Sequence, residues 1–163
     1  MNMRKLVVII YSLVLLFAGC DDLEDKPYTP GEANGVVEDY GTAEMYSLNE
    51  GLFNLNNSTL ARYSFLTNSC SYDYFRALNH RGLGDTANDM DIYGSKLYVV
   101  VNVSSTVEVI DLQSGLSVKQ IPMLTDNGSS RQPRAITFDS GKAYVCSYDG
   151  PVARVDTAAL EID

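Results

Sequence analysis

The sequence contains few of the side chains on which metal centres and catalytic sites are usually built. Among its 163 residues are one histidine, His80, and three cysteines, and no pair of these has the spacing of metal ligands. It also lacks the Gly-x-Ser-x-Gly motif of serine hydrolases and the Lys and Ser/Thr that end a phosphate-binding loop. The sequence therefore predicts no catalytic residue, no metal site and no cofactor, in a protein that is not an enzyme.

Basic residues are also scarce. The chain carries 12 Lys and Arg against 21 Asp and Glu, a formal net charge of −9 at pH 7. A nucleic-acid-binding surface needs a concentration of cations, so this balance argues against a nucleic-acid partner. Hydrophobic residues make up 45% of the chain, which is enough for the buried core of about one domain.

The first twenty residues have the layout of a secretory signal peptide. Arg4 and Lys5 precede an apolar run over 6–17, which is shorter than the ~20 residues that usually span a membrane. The stretch that follows, LLFAGC, resembles the lipobox of bacterial lipoproteins. This resemblance implies that residues 1–19 are a lipoprotein signal peptide and that Cys20 is lipidated. An uncleaved membrane anchor or a buried helix is the alternative.

The stretch after Cys20, DDLEDKPYTPGEANG, is acidic and rich in Pro and Gly. Such a composition buries little apolar surface, so residues 20–40 are interpreted as the lipidated cysteine and a flexible tether. The acidic run resembles the surface-export signal of Bacteroidetes lipoproteins, which implies a lipid-anchored protein on the outer face of the outer membrane. Placement on the periplasmic side is the alternative, since Asp21 resembles an inner-membrane retention signal of other Gram-negative bacteria.

The rest of the chain repeats itself. GSKLYVVVNVSSTVEVIDL and GKAYVCSYDGPVARVDT align on Tyr98 and Tyr144, which lie 46 residues apart, and a weaker copy begins 52 residues earlier at Tyr46. Each copy has two β-rich runs separated by a polar or glycine-containing break. Spacings of ~40–50 residues are typical of propeller blades.

The runs predict an all-β fold, a β-propeller with four-stranded blades over residues 41–163. In the middle unit the strands are expected at 89–92, 96–101, 106–112 and 117–121. In the last unit they are expected at AITFD, KAYVCSY and VARVD, without a fourth strand. The blade boundaries are placed at about 41–80, 81–125 and 126–163, the third blade being incomplete.

The motifs also resemble a known family. KLYVVVN and KAYVCSY are similar to the YVTN motif of YncE-like propellers, and LGDTANDMDIYGSKLYVVVNVSSTVEVID and NEGLFNLNNSTLARYS resemble propeller lipoproteins of Bacteroidetes, the surface-layer or quinoprotein-like group. That group closes its ring with about seven blades. The resemblance therefore implies an N-terminal fragment with about two and a half to three blades, produced by a premature stop, a frameshift or a gene-model boundary.

The same resemblance suggests a function. The group includes surface lipoproteins that capture vitamin B12 above a TonB-dependent outer-membrane transporter. It therefore implies a ligand-binding module for a small molecule, most concretely a corrinoid, with the membrane and such a transporter as partners. A protein-interaction scaffold of the cell envelope is the first alternative, and a lactonase-like or quinoprotein-like enzyme is the second.

The binding residues are expected on one rim, which the group builds from the loops between second and third strands and from the entries to the first strands. Applied to the breaks in this sequence, that geometry predicts a ligand site from Asn49, Glu50, Arg81, Asp85, Asn102, Ser104, Arg134, Tyr148 and Asp149. Turn formation alone explains the Asn, Asp and Ser members. Arg134 and Tyr148 are stronger candidates because a turn needs neither of them.

Two cysteines follow Cys20, at positions 70 and 146. An oxidising compartment permits a disulfide between them. However, Cys70 lies in a polar loop and Cys146 in an apolar run, so two unpaired thiols are the expected state.

Overall fold

The computed structural model of the protein describes residues 44–163. The predicted signal peptide, the predicted lipidation site at Cys20 and the predicted tether over 20–40 lie outside this range. The described chain forms eleven strands and one short helix, in this order: β1 Glu44–Asn49, β2 Thr59–Ser64, β3 Ser69–Ser71, α1 Tyr74–Asn79, β4 Ala87–Tyr93, β5 Lys96–Val101, β6 Thr106–Asp111, β7 Ser117–Pro122, β8 Pro133–Asp139, β9 Lys142–Ser147, β10 Val152–Asp156 and β11 Glu161–Ile162.

The strands form three antiparallel sheets in which each strand pairs with its neighbour in the sequence. The sheets have the orders β1-β2-β3, β4-β5-β6-β7 and β8-β9-β10-β11. The first strand of the second sheet packs beside β8 of the third and beside β1 of the first. Such a succession of small meanders, placed side by side, confirms the predicted all-β fold of propeller blades.

The aligned tyrosines occupy equivalent places. Tyr98 lies opposite Val109 in the β5–β6 pair, and Tyr144 lies opposite Arg154 in the β9–β10 pair. Tyr46 occupies the matching place in β1, opposite Arg62 of β2. Therefore β1 corresponds to the second strand of the other two sheets.

The middle sheet is covered on both faces, as its uninterrupted apolar strand predicts. Successive residues of β5 point to opposite sides, so Tyr98 and Val100 enter one core while Leu97 and Val99 enter another. The first core is shared with the third sheet, through residues such as Val145. The second is shared with the first sheet and α1. Stacking of blades is therefore the main source of burial.

Helix α1 fills the space between the first two sheets, and no sequence pattern predicted it. Asp73 caps its start by accepting a hydrogen bond from the Arg76 amide at 3.3 Å. Phe75 on its inner face is fully buried. The helix ends at His80, whose φ of 56° is left-handed and whose amide donates to the Arg76 carbonyl at 2.9 Å. The single histidine is thus exposed at a helix end.

Two glycines with positive φ have different surroundings. Gly94, with a φ of 61°, forms the β4–β5 turn and has open space where a Cβ would stand. Gly115, with a φ of 70°, lies against α1, where a Cβ would collide with the hydroxyl of Tyr74 and the side chain of Leu78. Of these two positions, only Gly115 is one where the surrounding packing itself demands glycine.

The structure corrects two expectations. The third sheet has a fourth strand, β11, which pairs with β10 through Val155 opposite Ile162; its two residues are too few to produce a pattern in the sequence. Cys70, expected in a polar loop, lies in strand β3, where it pairs with Tyr63 of β2. Cys70 and Cys146 are unpaired in the structure, and both are exposed. Within residues 44–163 no helix is long and apolar enough to cross a membrane.

Candidate functional site

The loops named in the sequence analysis meet at one end of the sheets. This end, called the rim below, consists of the β1–β2 loop (50–58), the β5–β6 loop (102–105), the β9–β10 loop (148–151) and the entries to β4 and β8. Hydrogen bonds join each loop to the entry beside it: the Asn102 amide donates to the Thr86 carbonyl at 2.8 Å, and the Tyr148 amide donates to the Gln132 carbonyl at 3.1 Å.

Asp85 uses its carboxylate to hold the first rim loop. Its oxygens accept from the Thr86 hydroxyl at 2.6 Å and from the amides of Asn56 at 2.8 Å and Asn54 at 3.1 Å. The Thr86 hydroxyl, followed by the two amides, holds the pKa of the Asp85 carboxyl below its usual value. The Asp85 amide donates to Oγ of Ser104 at 2.9 Å. Asp85 therefore ties the first sheet to the second at the rim, and its bond to Ser104 holds the β4 entry to the β5–β6 loop within the second sheet.

Asn102 performs the same task between the second and third sheets. Its side chain is only 4% exposed, and Nδ2 donates to the Pro133 carbonyl at 2.9 Å. Asn49 and Glu50 lie at the base of the first loop: Asn49 donates to the Thr59 hydroxyl at 3.1 Å, and Glu50 accepts from the Asn88 amide group at 2.7 Å. These three polar groups bond within the protein.

Arg81 is directed at a buried carboxylate. Its guanidinium donates to Oε1 of Glu108 at 2.8 Å and to Oγ of Ser117 at 3.0 Å, and it lies 4.8 Å from the ring centroid of Phe75. The Glu108 side chain is fully buried, whereas that of Arg81 is 40% exposed. Ser117 and Gln120 also donate to the Glu108 carboxylate. The charge on Arg81 therefore compensates a buried charge in β6.

The remaining predicted residues cluster on the third sheet. The guanidinium carbon of Arg134 lies 5.2 Å from the ring centroid of Tyr148, and the Tyr148 side chain is 66% exposed. Beside them Asp149 pairs with Nη1 of Arg131 at 3.0 Å, while Nε of Arg131 donates to the Leu124 carbonyl at 3.0 Å. The rim here presents two guanidinium groups, one carboxylate and one aromatic ring.

The predicted set thus falls into an internally bonded group and an exposed group. In the first, Asp85 and Asn102 bridge neighbouring sheets and Ser104 binds Asp85 within the second sheet. Asn49 and Glu50 bond at the base of the first loop, and Arg81 pairs with Glu108. The second group, Arg134, Tyr148 and Asp149, lies together on the exposed rim of the third sheet. Sequence reasoning missed Arg131 in this second group. The signal was present, because Arg131 stands three residues before Arg134 in the RQPR segment that enters β8.

The exposed group offers no set of metal ligands. Throughout residues 44–163 no three His, Cys, Asp or Glu side chains are grouped so that they would hold a metal ion. What Arg131, Arg134, Tyr148 and Asp149 supply is hydrogen-bond donors, one acceptor and a flat apolar surface. These groups suit non-covalent recognition of a ligand with polar side groups.

No family model matches the sequence, and no curated protein matches it. Solved structures do match the fold. A nidogen/laminin complex gives a TM-score of 0.51 at 17% identity, over 74% of this chain and 41% of that one. A europium-containing methanol dehydrogenase gives 0.50 at 11% identity, over 74% and 22%. The computationally designed Ika8 protein gives 0.50 at 13% identity, over 74% and 34%.

These similarities concern the fold alone, because every identity is below 25%. The chain spans between 22% and 41% of the length of these three structures. The nidogen/laminin and methanol dehydrogenase matches are β-propellers, so the three sheets of this chain have the fold of propeller blades.

Proposed function

We propose that the protein is a ligand-binding β-propeller module that binds a small molecule at the rim of its third sheet. The observation that carries this proposal is the exposed stack of Arg134 on Tyr148. At exposed sites such a stack contributes only ~0.5–1 kcal/mol, and it rises to ~2 kcal/mol when water is removed. A ligand that covers the pair therefore gains from it, whereas the fold gains little.

The ion pair beside the stack supports the same assignment. Arg131 and Asp149 side chains are 23% and 28% exposed, so both remain accessible to a ligand at the rim. Together they offer a donor and an acceptor next to a flat ring. A planar ligand with peripheral amides would stack on Tyr148 and bond the flanking charges.

The finer proposal rests on the sequence resemblance. The ligand is a corrinoid, whose ring carries amide side chains, and the chain is a lipoprotein anchored through Cys20 at the surface of the outer membrane. There it captures the ligand for a TonB-dependent transporter. Binding is non-covalent, without chemical conversion of the ligand. The support for this ligand and this location is the lipobox-like segment and the YVTN-like strands.

The test is a calorimetric titration of cyanocobalamin into the full chain, purified in detergent. The Arg134→Ala and Tyr148→Ala variants should each raise the Kd about tenfold or more, because each removes one half of the stack. Arg76→Ala and Tyr72→Ala are the matched controls, since both side chains are exposed and distant in the fold from the β9–β10 loop. Their Kd should equal that of the wild type.

Two outcomes would contradict the proposal at different levels. No heat of binding from a protein that circular dichroism shows to be folded would remove the corrinoid as ligand. Saturable binding that both rim variants retain would leave the ligand in place and move its site elsewhere.

A further inference from the structure

The β1–β2 loop carries three large apolar side chains that the fold does not bury. Leu52, Phe53 and Leu55 are 64%, 68% and 59% exposed. They stand within four consecutive residues of the rim of the first sheet, with the second sheet between them and the Arg134–Tyr148 stack. Single exposed apolar residues are common on protein surfaces, but contiguous groups mark interaction sites.

This apolar loop, residues 50–58, is held in one conformation by its backbone. The Leu52 amide donates to Oδ1 of Asn57 at 2.8 Å, and the Leu55 amide donates to the Leu52 carbonyl at 3.1 Å. The Ser58 hydroxyl donates to the Glu50 carbonyl at 2.5 Å. Hydrogen bonds therefore join the two ends of the loop to each other and also cross its tip.

The second sheet adds further anchors. The Asp85 carboxylate accepts the amides of Asn54 and Asn56, and the Ser58 amide donates to the Gly84 carbonyl at 3.1 Å. Asn54 and Asn56 adopt positive φ values of 62° and 51°, which turn the chain twice within the loop. A chain ordered in this way loses little conformational entropy when another molecule covers it.

We propose that the apolar loop is a docking surface for a partner protein, which receives Phe53 in an apolar pocket flanked by Leu52 and Leu55. Rigid aromatic and aliphatic anchors on an ordered loop are what interface hot spots require. The proposal concerns the first sheet and does not depend on the ligand proposed for the third.

Charge favours a protein over a lipid surface as the occupant. Residues 49–60, NEGLFNLNNSTL, contain one acid, Glu50, and no Lys or Arg. Segments that lie on anionic membranes carry basic residues on their polar face, and this loop has none. The Glu50 carboxylate, one oxygen of which accepts from Asn88, is exposed at the base of the loop and suits a pocket whose edge supplies hydrogen-bond donors or a cation.

The experiment replaces Phe53 by the photo-crosslinker p-benzoylphenylalanine in the full chain. This variant is expressed in the organism whose genome encodes the protein. Irradiation should produce one discrete protein adduct, which mass spectrometry identifies. Leu66, which is 83% exposed in the β2–β3 turn of the same sheet, is the matched control position and should not give this adduct. Addition of Leu52→Ser and Leu55→Ser to the crosslinking chain should abolish it.

The identified partner is then purified and its affinity for the full chain is measured. Phe53→Ser should weaken binding about tenfold or more, and Leu66→Ser should not change it. Asn57→Ala, which removes the acceptor of the Leu52 amide and no apolar side chain, should also weaken binding because it loosens the loop. The Phe53→Ser chain should bind cyanocobalamin as the wild type does, so failure of one proposal is distinguishable from failure of the other.

Three results would overturn the proposal. The first is the same adduct from crosslinkers at positions 53 and 66. The second is that position 53 gives adducts only with lipid or only with a second copy of the chain. The third is an identified partner that binds the Phe53→Ser chain as tightly as the wild type.

Discussion

The ion pair between Arg81 and the buried Glu108 leads to a quantitative prediction for Arg81→Ala. Removal of one partner of a buried pair typically costs ~3–5 kcal/mol, because the other charge stays buried without compensation. Here two features reduce that cost. The Arg81 side chain is 40% exposed, so water can enter its place, and Ser117 and Gln120 still donate to the carboxylate. We expect a loss of about 2 kcal/mol in the free energy of unfolding.

Neutralising Glu108 should lower the free energy of unfolding by less than removing Arg81 does. Glu108→Gln keeps one acceptor oxygen, which can serve Arg81 and Ser117, and loses the acceptor of Gln120, so it should cost about 1 kcal/mol. In the double variant Arg81→Ala/Glu108→Gln no charge is left buried, so its loss should be about 2 kcal/mol, below the sum of the two single losses. The double variant is the step that separates charge compensation from simple packing of Arg81 on Phe75.

The assay is urea-induced unfolding followed by circular dichroism, with the free energies taken from the linear dependence on urea. Arg76→Ala is the matched control, because Arg76 forms a surface pair with Asp73 at 3.0 Å. Its loss should be below about 1 kcal/mol. A loss for Arg81→Ala no larger than that of the control, or strict additivity in the double variant, would refute the reasoning.

Three further predictions follow from single contacts. Asn102→Ala should lower the free energy of unfolding by about 1–2 kcal/mol, because it leaves the carbonyl at the start of β8 unpaired; an unchanged urea midpoint would contradict this. Gly115→Ala should cost about 1–3 kcal/mol more than Gly94→Ala, since both glycines have positive φ and only a Cβ at 115 meets α1; equal melting temperatures would argue against the packing described. A hydrogen bond from the Lys142 ammonium is the largest cause that lowers the pKa of Asp156 to about 2, and two backbone amides add to it. The Asp156 carboxylate therefore stabilises the folded state at pH values above its unfolded pKa. That stability is lost as the pH falls towards 2. The urea midpoint should therefore fall less for Asp156→Asn than for the wild type between about pH 5 and pH 2, and parallel curves would contradict this assignment.

The strands were predictable because each blade repeats one pattern. The expected strands at 96–101 and 106–112 match β5 and β6 to within one residue. The uninterrupted apolar residues of β5 correctly indicated a strand with a core on each face. The period of 46 residues between Tyr98 and Tyr144 survives in the structure as equivalent register positions. Repetition therefore supplied evidence that a single strand pattern would not.

The sequence pattern did not predict helix α1 or strand β11, for physical reasons. Helix α1 has six residues, too few to show a helical period, and the burial of Phe75 between two sheets stabilises it. Strand β11 has two residues, and pairing with β10 defines it more than its composition. Tertiary contacts decide both elements, and such contacts leave no local signal.

The sequence predicted which residues lie in the rim loops. It did not predict which of them bridge two sheets and which are exposed to a ligand. Asp85 and Asn102 look like ligand-binding residues in the sequence because they are polar and lie in rim loops. In the structure their side chains bridge neighbouring sheets, at 7% and 4% exposure. A buried polar group must find a partner, and in stacked blades the neighbouring blade is the nearest source of one.

The same reasoning identifies the side chains that remain free for recognition. A rim residue that bridges two blades is already paired, so a ligand that used it would have to break a bond on which blade packing depends. Arg134 and Tyr148 make no such bridge, and neither do Leu52 and Phe53 in the apolar loop. Residue type therefore identifies the rim, whereas the hydrogen bonds between blades identify which part of it is free to bind. A search for ligands or partners should accordingly begin at the two ends of the described rim rather than at the second sheet, where Asp85 and Asn102 hold the blades together.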